Sequence, residues 1–178
     1  MTTLHVDIET YSDVDLRKYG VYRYAGSPNF KILLLAYAVD DDPIDILDLA
    51  NGDKIPKDLL HYFSSPEVQR RAFNAQFERV CLSQVLKTGE WECIMVKAAS
   101  LGLNGSLASV GRALNIAEDK QKLETGKNLI RLFSLPRKPS KANGMKSVFT
   151  SEDKPEEWLQ FQAYCMNDVE AERAIDNK

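Results

Sequence analysis

No run in this chain is long and apolar enough to span a bilayer: the longest, Ile32 to Val39, has the length of a strand, against the ~18 residues a spanning helix needs. The N-terminus lacks a basic region followed by an apolar one, so no secretory signal is read there. Cysteine is scarce. Cys81, Cys93 and Cys165 are odd in number, far apart and each set in an apolar pattern, which excludes zinc spacing and a disulfide framework. They read as reduced core residues of a cytoplasmic protein. Internal repeats and linker-like boundaries are also missing, so the 178 residues are expected to form one domain around one core. At 44% hydrophobic and 28% charged, the composition favours neither disorder nor a membrane protein.

A global excess of positive charge is absent too. The net charge of −3 argues against binding nucleic acid by overall attraction. The distribution is uneven, however. Lys120 to Lys146 holds eight basic residues against one acid, Glu124, and leaves the rest of the chain clearly acidic. A basic segment beside acidic clusters suits a protein that holds phosphates with one surface and metal ions with another. The same segment also fits a solvated helix followed by a basic loop.

Periodicity supplies the elements. Leu4, Val6 and Ile8 alternate with His5, Asp7 and Glu9, which predicts a first strand with one apolar and one polar face. Ile32 to Val39 is expected to be a central strand buried on both faces, and Ile44 to Leu49 a third strand after the turn at Asp40 to Pro43, together an antiparallel meander. A short helix follows around Lys57 to Phe63, then a strand over Arg70 to Phe73. Asn74 is expected to cap a helix whose stripe is Phe77, Cys81, Leu82, Val85 and Leu86. Trp91 to Val96 reads as a strand; Ser106 to Leu114 and Lys122 to Phe133 read as helices. Pro136 to Thr150 reads as a mobile loop, and Pro155 to Asp176 as a long helix with Pro in its first turn. Three strands followed by alternating helices and strands give a mixed α/β sheet with helices on both faces. The chain ends at Lys178 without a C-cap signal, which reads as a piece of a longer protein.

Three short constellations carry chemistry. Asp7 and Glu9 share one face of the first strand, and two like charges so close resist burial unless a cation neutralises them. Acids alternating on a solvated strand face make the same pattern. Asn74, Phe77 and Glu78 open the middle helix, where Glu78 could equally serve the helix dipole. Tyr164 and Asp168 stand four apart on the last helix and project from one flank. The spacing by itself discriminates nothing, since Tyr11/Asp15 and Tyr37/Asp41 repeat it; only the third pair lies on a strong helix, and a packed tyrosine beside an exposed acid also fits it.

In that order these pieces resemble the three exonuclease motifs of the DEDD superfamily, tyrosine subtype: Asp-x-Glu on the first strand, Asn-x-x-Phe-acid before a helix, Tyr-x-x-x-Asp on the last helix. Segments Asp7 to Ser12, Asp15 to Gly20, Asn74 to Arg79, the Trp91 strand, Gly126 to Phe133, and Trp158 with Tyr164 to Val169 are similar to the N-terminal proofreading domain of phage and prophage family A DNA polymerases. The resemblance spans most of the chain and departs from its family at Glu78, where most relatives carry the shorter Asp.

The resemblance implies a ribonuclease H-like sheet and a 3′→5′ exonuclease that shortens single-stranded DNA 3′ ends, proofreading for a polymerase joined to it. Asp7, Glu9, Glu78 and Asp168 would bind two Mg²⁺ or Mn²⁺ ions, and Tyr164 would orient the attacking water. Asn74 and Phe77 would meet the substrate. Tyr19, Tyr22 and Tyr24 interleave with Arg17, Lys18 and Arg23 in a composition suited to stacking bases and holding phosphates, and equally to a packed surface loop. Tyr19, Arg23, Lys138 and Lys141, with Lys146, are therefore candidate DNA contacts. An RNA-trimming exonuclease of the same superfamily, and a degenerate fold that only binds DNA or supports a polymerase, are the competing readings.

Overall fold

The computed structural model describes residues 1–116 and 126–178. Five strands form one mixed sheet in the order β3-β2-β1-β4-β5, from β1 (Thr2–Tyr11), β2 (Lys31–Val39), β3 (Asp45–Asp48), β4 (Val68–Ala72) and β5 (Trp91–Cys93). The expected meander is there, with β1–β2 and β2–β3 antiparallel; β4 and β5 then add in parallel beside β1. The parallel additions need crossovers, which α2 (Lys57–Ser64) and α3 (Ala75–Leu82) supply.

The alternation of β1 sorts the layers. Leu4, Val6 and Ile8 pack with Leu59 and Phe63 of α2 and Val80 to Leu82 of α3. On the other face, Leu34, Ala36 and Ala38 of β2 meet α6 (Gly126–Phe133) and the 22-residue α7 (Pro155–Asp176) through Leu129, Phe133, Phe161 and Val169. Pro155 occupies the first turn of α7, where its missing N–H is no loss. Asp48 fastens α7 to the sheet edge by accepting from Trp158 Nε1 at 2.7 Å and Gln162 Nε2 at 2.9 Å. A third cluster joins the end of α7 to α4 (Ile94–Ser100) and α5 (Leu107–Ala113) through Ile94, Leu107, Val110 and Ile175.

Several expectations are corrected. Residues 16–25, read as a possible surface loop, form α1 (Leu16–Ala25), capped by the Asp15 carboxylate on the N–H groups of Arg17 and Lys18. Gly20 breaks the helix at φ 75°, a left-handed value that glycine adopts without strain, and this hid the helical period. The strand expected over Trp91 to Val96 stops at Cys93, because Ile94 begins α4. The apolar stripe of α3 ends with the helix at Leu82, leaving Val85 exposed. Of the helix expected over Lys122 to Phe133, residues 122–125 lie outside the described residues. The segment Pro136 to Thr150 is irregular as expected but tied: Ser140 and Asn143 cap each other around one 3-10 turn, and Lys146 pairs with Asp153.

Two buried polar groups were not foreseen. Arg70, 3% exposed, donates to the carbonyls of Phe63, Ser65 and Glu90, with Gly89 leaving space for its guanidinium. Asp176 at the end of α7 accepts from His5 Nε2 at 3.1 Å, from Lys97 Nζ at 2.8 Å and from Arg71.

Candidate active site

The polar face of β1 does not face water. α7 crosses it, and His5, Glu9 and, in part, Asp7 are covered. The Cys165 thiol lies 3.4 Å from Asp7 Oδ2 and 3.6 Å from the Asp7 carbonyl. Burial, followed by the charges of Asp7 and Glu9, pushes that thiol well above its ordinary pKa, so it stays an S–H donor to Asp7. Cys165, read from sequence as a core residue, is therefore also a neighbour of the first acid. The β1–β2 register slips between Glu9 and Thr10, a bulge of the kind that re-aims side chains at sheet edges.

Glu78 sits in the first turn of α3 at 5% exposure, too buried to act only as a solvated partner of the helix dipole. Asn74 occupies the N-cap position, but its side chain makes no capping hydrogen bond, contrary to expectation. Phe77 packs at the edge of the core, 6.0 Å from the Tyr24 ring.

On α7, Tyr164 is fully buried and Asp168 is 2% exposed. The tyrosine is held by a column of rings: Tyr164 stacks on Phe161 at 6.5 Å, Phe161 on Phe133 at 5.2 Å, and Phe133 meets Trp158 edge-on at 4.8 Å. Gly126 of α6 lies against the Tyr164 ring, so close that a Cβ there would stand 2.5 Å from Cζ. Burial, then the charges of Asp168, Glu9 and Asp7, drive the Tyr164 hydroxyl far above its ordinary pKa. The same three acids line a cleft with Tyr164.

Asp7, Glu9, Asn74, Phe77, Glu78, Tyr164 and Asp168 all line one cleft of about 770 Å³. Tyr19, Arg23, Lys138 and Lys141 are not among its lining residues. Tyr19 and Arg23 lie on α1, where Lys18 and Arg23 stand 5.1 and 5.3 Å from the Tyr19 ring centre and Tyr22 OH accepts from Arg79 at 3.4 Å. Lys138 and Lys141 are exposed on the loop after α6. The cleft instead contains two cations that no spacing in the sequence marked, Arg112 of α5 and Lys127 of α6, with Leu16, Tyr24 and Ile130 as apolar wall. Lys127 lies in a segment that carries the family resemblance; Arg112 had no signal of its own.

All the acids in the cleft offer carboxylate oxygen, the donor that hard divalent ions prefer. Among the described residues no three acidic, histidine or cysteine side chains form a ready cation cage. The four carboxylates come from three elements and line one cleft, which fits a site where ions share their shell with substrate and water.

No family model matches the chain. Over 182 aligned residues it is 49% identical to a DNA polymerase of Bacillus phage SP02, covering 100% of this chain and 28% of the polymerase. Among solved structures it is similar to a Brucella melitensis NrnC with bound Mg²⁺ (TM-score 0.55, 11% identity, 98% of this chain and 72% of that one). It is also similar to the apo form of a nuclease (TM-score 0.50, 15% identity, 98% and 70%). The chain thus has a ribonuclease H-like mixed α/β fold and is similar, along its whole length, to a stretch of a phage DNA polymerase.

Proposed function

We propose that the chain is a metal-dependent 3′→5′ exonuclease acting on single-stranded DNA ends, and that it proofreads for a polymerase in the same polypeptide. The observation that carries this reading is the convergence of Asp7, Glu9, Glu78, Asp168 and Tyr164 on one cleft from β1, α3 and α7. The phage DNA polymerase relative supports DNA as substrate and a joined polymerase as partner. The acids and the tyrosine are all present, which favours an active nuclease over a degenerate binding module.

Asp7, Glu9, Glu78 and Asp168 would hold two Mg²⁺ or Mn²⁺ ions; the Mg²⁺ bound to the Brucella melitensis NrnC neighbour supports a divalent ion. Such ions, when bound, make water acidic enough to attack a phosphodiester at neutral pH and offset charge on the leaving oxygen. The Tyr164 hydroxyl, kept protonated by burial and the surrounding carboxylates, orients water by hydrogen bonding and does not act as the base. Phe77, Leu16 and Ile130 give a terminal base an apolar seat, while Asn74 offers an amide at the same wall. Arg112 and Lys127 set positive charge beside the acids, so a phosphate entering the cleft meets both metal-holding and phosphate-holding groups.

The test is digestion of matched single-stranded DNA and RNA labelled at the 5′ end, with and without EDTA, by the wild-type chain and by Asp7→Ala. Stepwise shortening of DNA from the 3′ end that EDTA stops and Asp7→Ala abolishes is expected. Wild-type-like digestion by folded Asp7→Ala protein would sink the assignment, and faster digestion of RNA would move it to the RNA-trimming relatives.

A further inference from the structure

A fifth acid lies behind the cleft. Glu172 follows Asp168 by one turn of α7 and is 2% exposed, yet it does not line the cleft. Its Oε2 accepts from the Phe73 backbone N–H at 2.8 Å, a tie between residues 99 apart in the chain. Its Oε1 is buried and has no hydrogen-bond partner among the described residues. Burying a carboxyl group for a single amide costs more than filling the place with a leucine, so the side chain is not there for stability.

What the tie holds is informative. Phe73 joins the end of β4 to Asn74 at the N-cap of α3. Its carbonyl is fastened on the other side, accepting from the Met95 N–H at 3.0 Å and from the Cys93 thiol at 3.3 Å. Phe73 and Asn74 both line the cleft, and one turn into α3 the chain presents Phe77 and Glu78 to it. Glu172 is thus the hydrogen-bonded link from the helix that carries Asp168 to the turn that aims Glu78. Burial, then the charges of Asp7, Glu78 and Asp168, raise its carboxyl well above the ordinary range.

We propose that Glu172 is a positioning residue: by holding the Phe73–Asn74 turn against α7, it sets the separation of Glu78 and Asp168 across the cleft. The role rests on the nuclease reading for its consequence in catalysis, but the tie can be measured without turnover. The experiment compares the full chain with Glu172→Leu and Glu172→Gln. The readouts are calorimetric Mn²⁺ binding, exchange of the Phe73 amide followed by NMR, and kcat and KM on single-stranded DNA. The leucine, matched in size but unable to accept, is expected to speed Phe73 exchange, weaken Mn²⁺ binding and lower kcat by ~10–100-fold with KM little changed. Glutamine, whose carbonyl still accepts the N–H, is expected to restore all three. The proposal is overturned if Glu172→Leu binds Mn²⁺ as wild type does, if its Phe73 amide stays protected, or if folded Glu172→Gln loses as much as the leucine. Should Glu172→Leu fail to fold, wild-type binding and exchange by Glu172→Gln support the proposal and their loss overturns it. If every protein binds Mn²⁺ but none degrades DNA, the nuclease reading fails, while binding and exchange still decide the role of Glu172. A wild-type chain that binds no Mn²⁺ overturns both.

Discussion

Gly126→Ala sets two effects against each other. In an exposed helix interior the change is favourable by about 1 kcal/mol, because glycine loses more backbone freedom on folding than alanine. Gly126 is buried and begins the described part of α6, so part of that gain is absent. The added methyl would meet Cζ and Cδ2 of Tyr164 at 2.5 and 2.6 Å, far inside contact distance. The ring cannot yield cheaply, since Tyr164 is fully buried and stacked parallel to Phe161, within 5°. Overpacking of this kind costs roughly 1–3 kcal/mol. The steric term therefore wins, by about 1–2 kcal/mol net, which for a chain of this size lowers Tm by roughly 2–8 °C. On the proposed exonuclease reading the loss of activity is larger, because relief comes from moving Tyr164 or α6, and a shift near 1 Å can cost ~100-fold in rate. Thermal unfolding by circular dichroism and single-strand digestion on the same sample measure both. A Gly126→Ala protein that melts higher than wild type and digests DNA at the wild-type rate would refute the argument that this glycine exists to seat Tyr164.

Asp176→Ala leaves His5, Arg71 and Lys97 around an empty position. Breaking a buried pair costs ~3–5 kcal/mol, and because Lys97 is 53% exposed and Arg71 20%, water recovers part of this, giving about 2–3 kcal/mol by urea unfolding; a loss below ~0.5 kcal/mol would show that the network is idle. Acid should act on the same place. Burial, outweighing the hydrogen bond and charge of Asp176, lowers the His5 pKa below 6.5, so the unfolded chain takes up a proton that the native one refuses, and stability falls as pH drops below ~6.5. Burial pushes the Asp176 carboxyl up, but the Lys97 and Arg71 hydrogen bonds outweigh it and hold the group below 3.8, so its contribution is present above that value and lost at still lower pH. His5→Gln should flatten the first limb, and an unchanged limb would count against this origin. Replacing Arg112 and Lys127 together by glutamine should weaken single-stranded DNA binding and reduce its log–log salt slope by about 1.4. The same exchange at Lys138 and Lys141, outside the cleft, should change the slope less; the reverse ranking would put the DNA path over the loop.

Much of the fold was legible because its signals are local. The strict alternation from Leu4 to Glu9, the apolar run from Ile32 to Val39 and the Pro-led stripe of α7 specify β1, β2 and α7 without reference to distant residues. The acids also stood out, since a core strand and a core-facing helix seldom carry residues such as Asp7, Glu9 and Asp168, and all three line one cleft. Where a local signal was interrupted, by Gly20 in α1 or by the strand-like composition of Ile94 to Val96 at the start of α4, the reading failed.

What the sequence by itself determined is thus the elements with an uninterrupted local signal, β1, β2 and α7 above all, and the faces those elements present. Only the tertiary structure decided which of them meet. It turned the polar face of β1 inward under α7 and set Arg112 and Lys127 in the acid cleft while leaving Tyr19, Arg23, Lys138 and Lys141 outside it. It also placed Glu172 against the Phe73 amide, 99 residues away. The physical reason is one of range. Periodicity and capping act over a few residues, whereas burial of a carboxylate, the seat of a tyrosine on a glycine and the sign of charge in a cleft depend on partners that the chain brings together only when it folds.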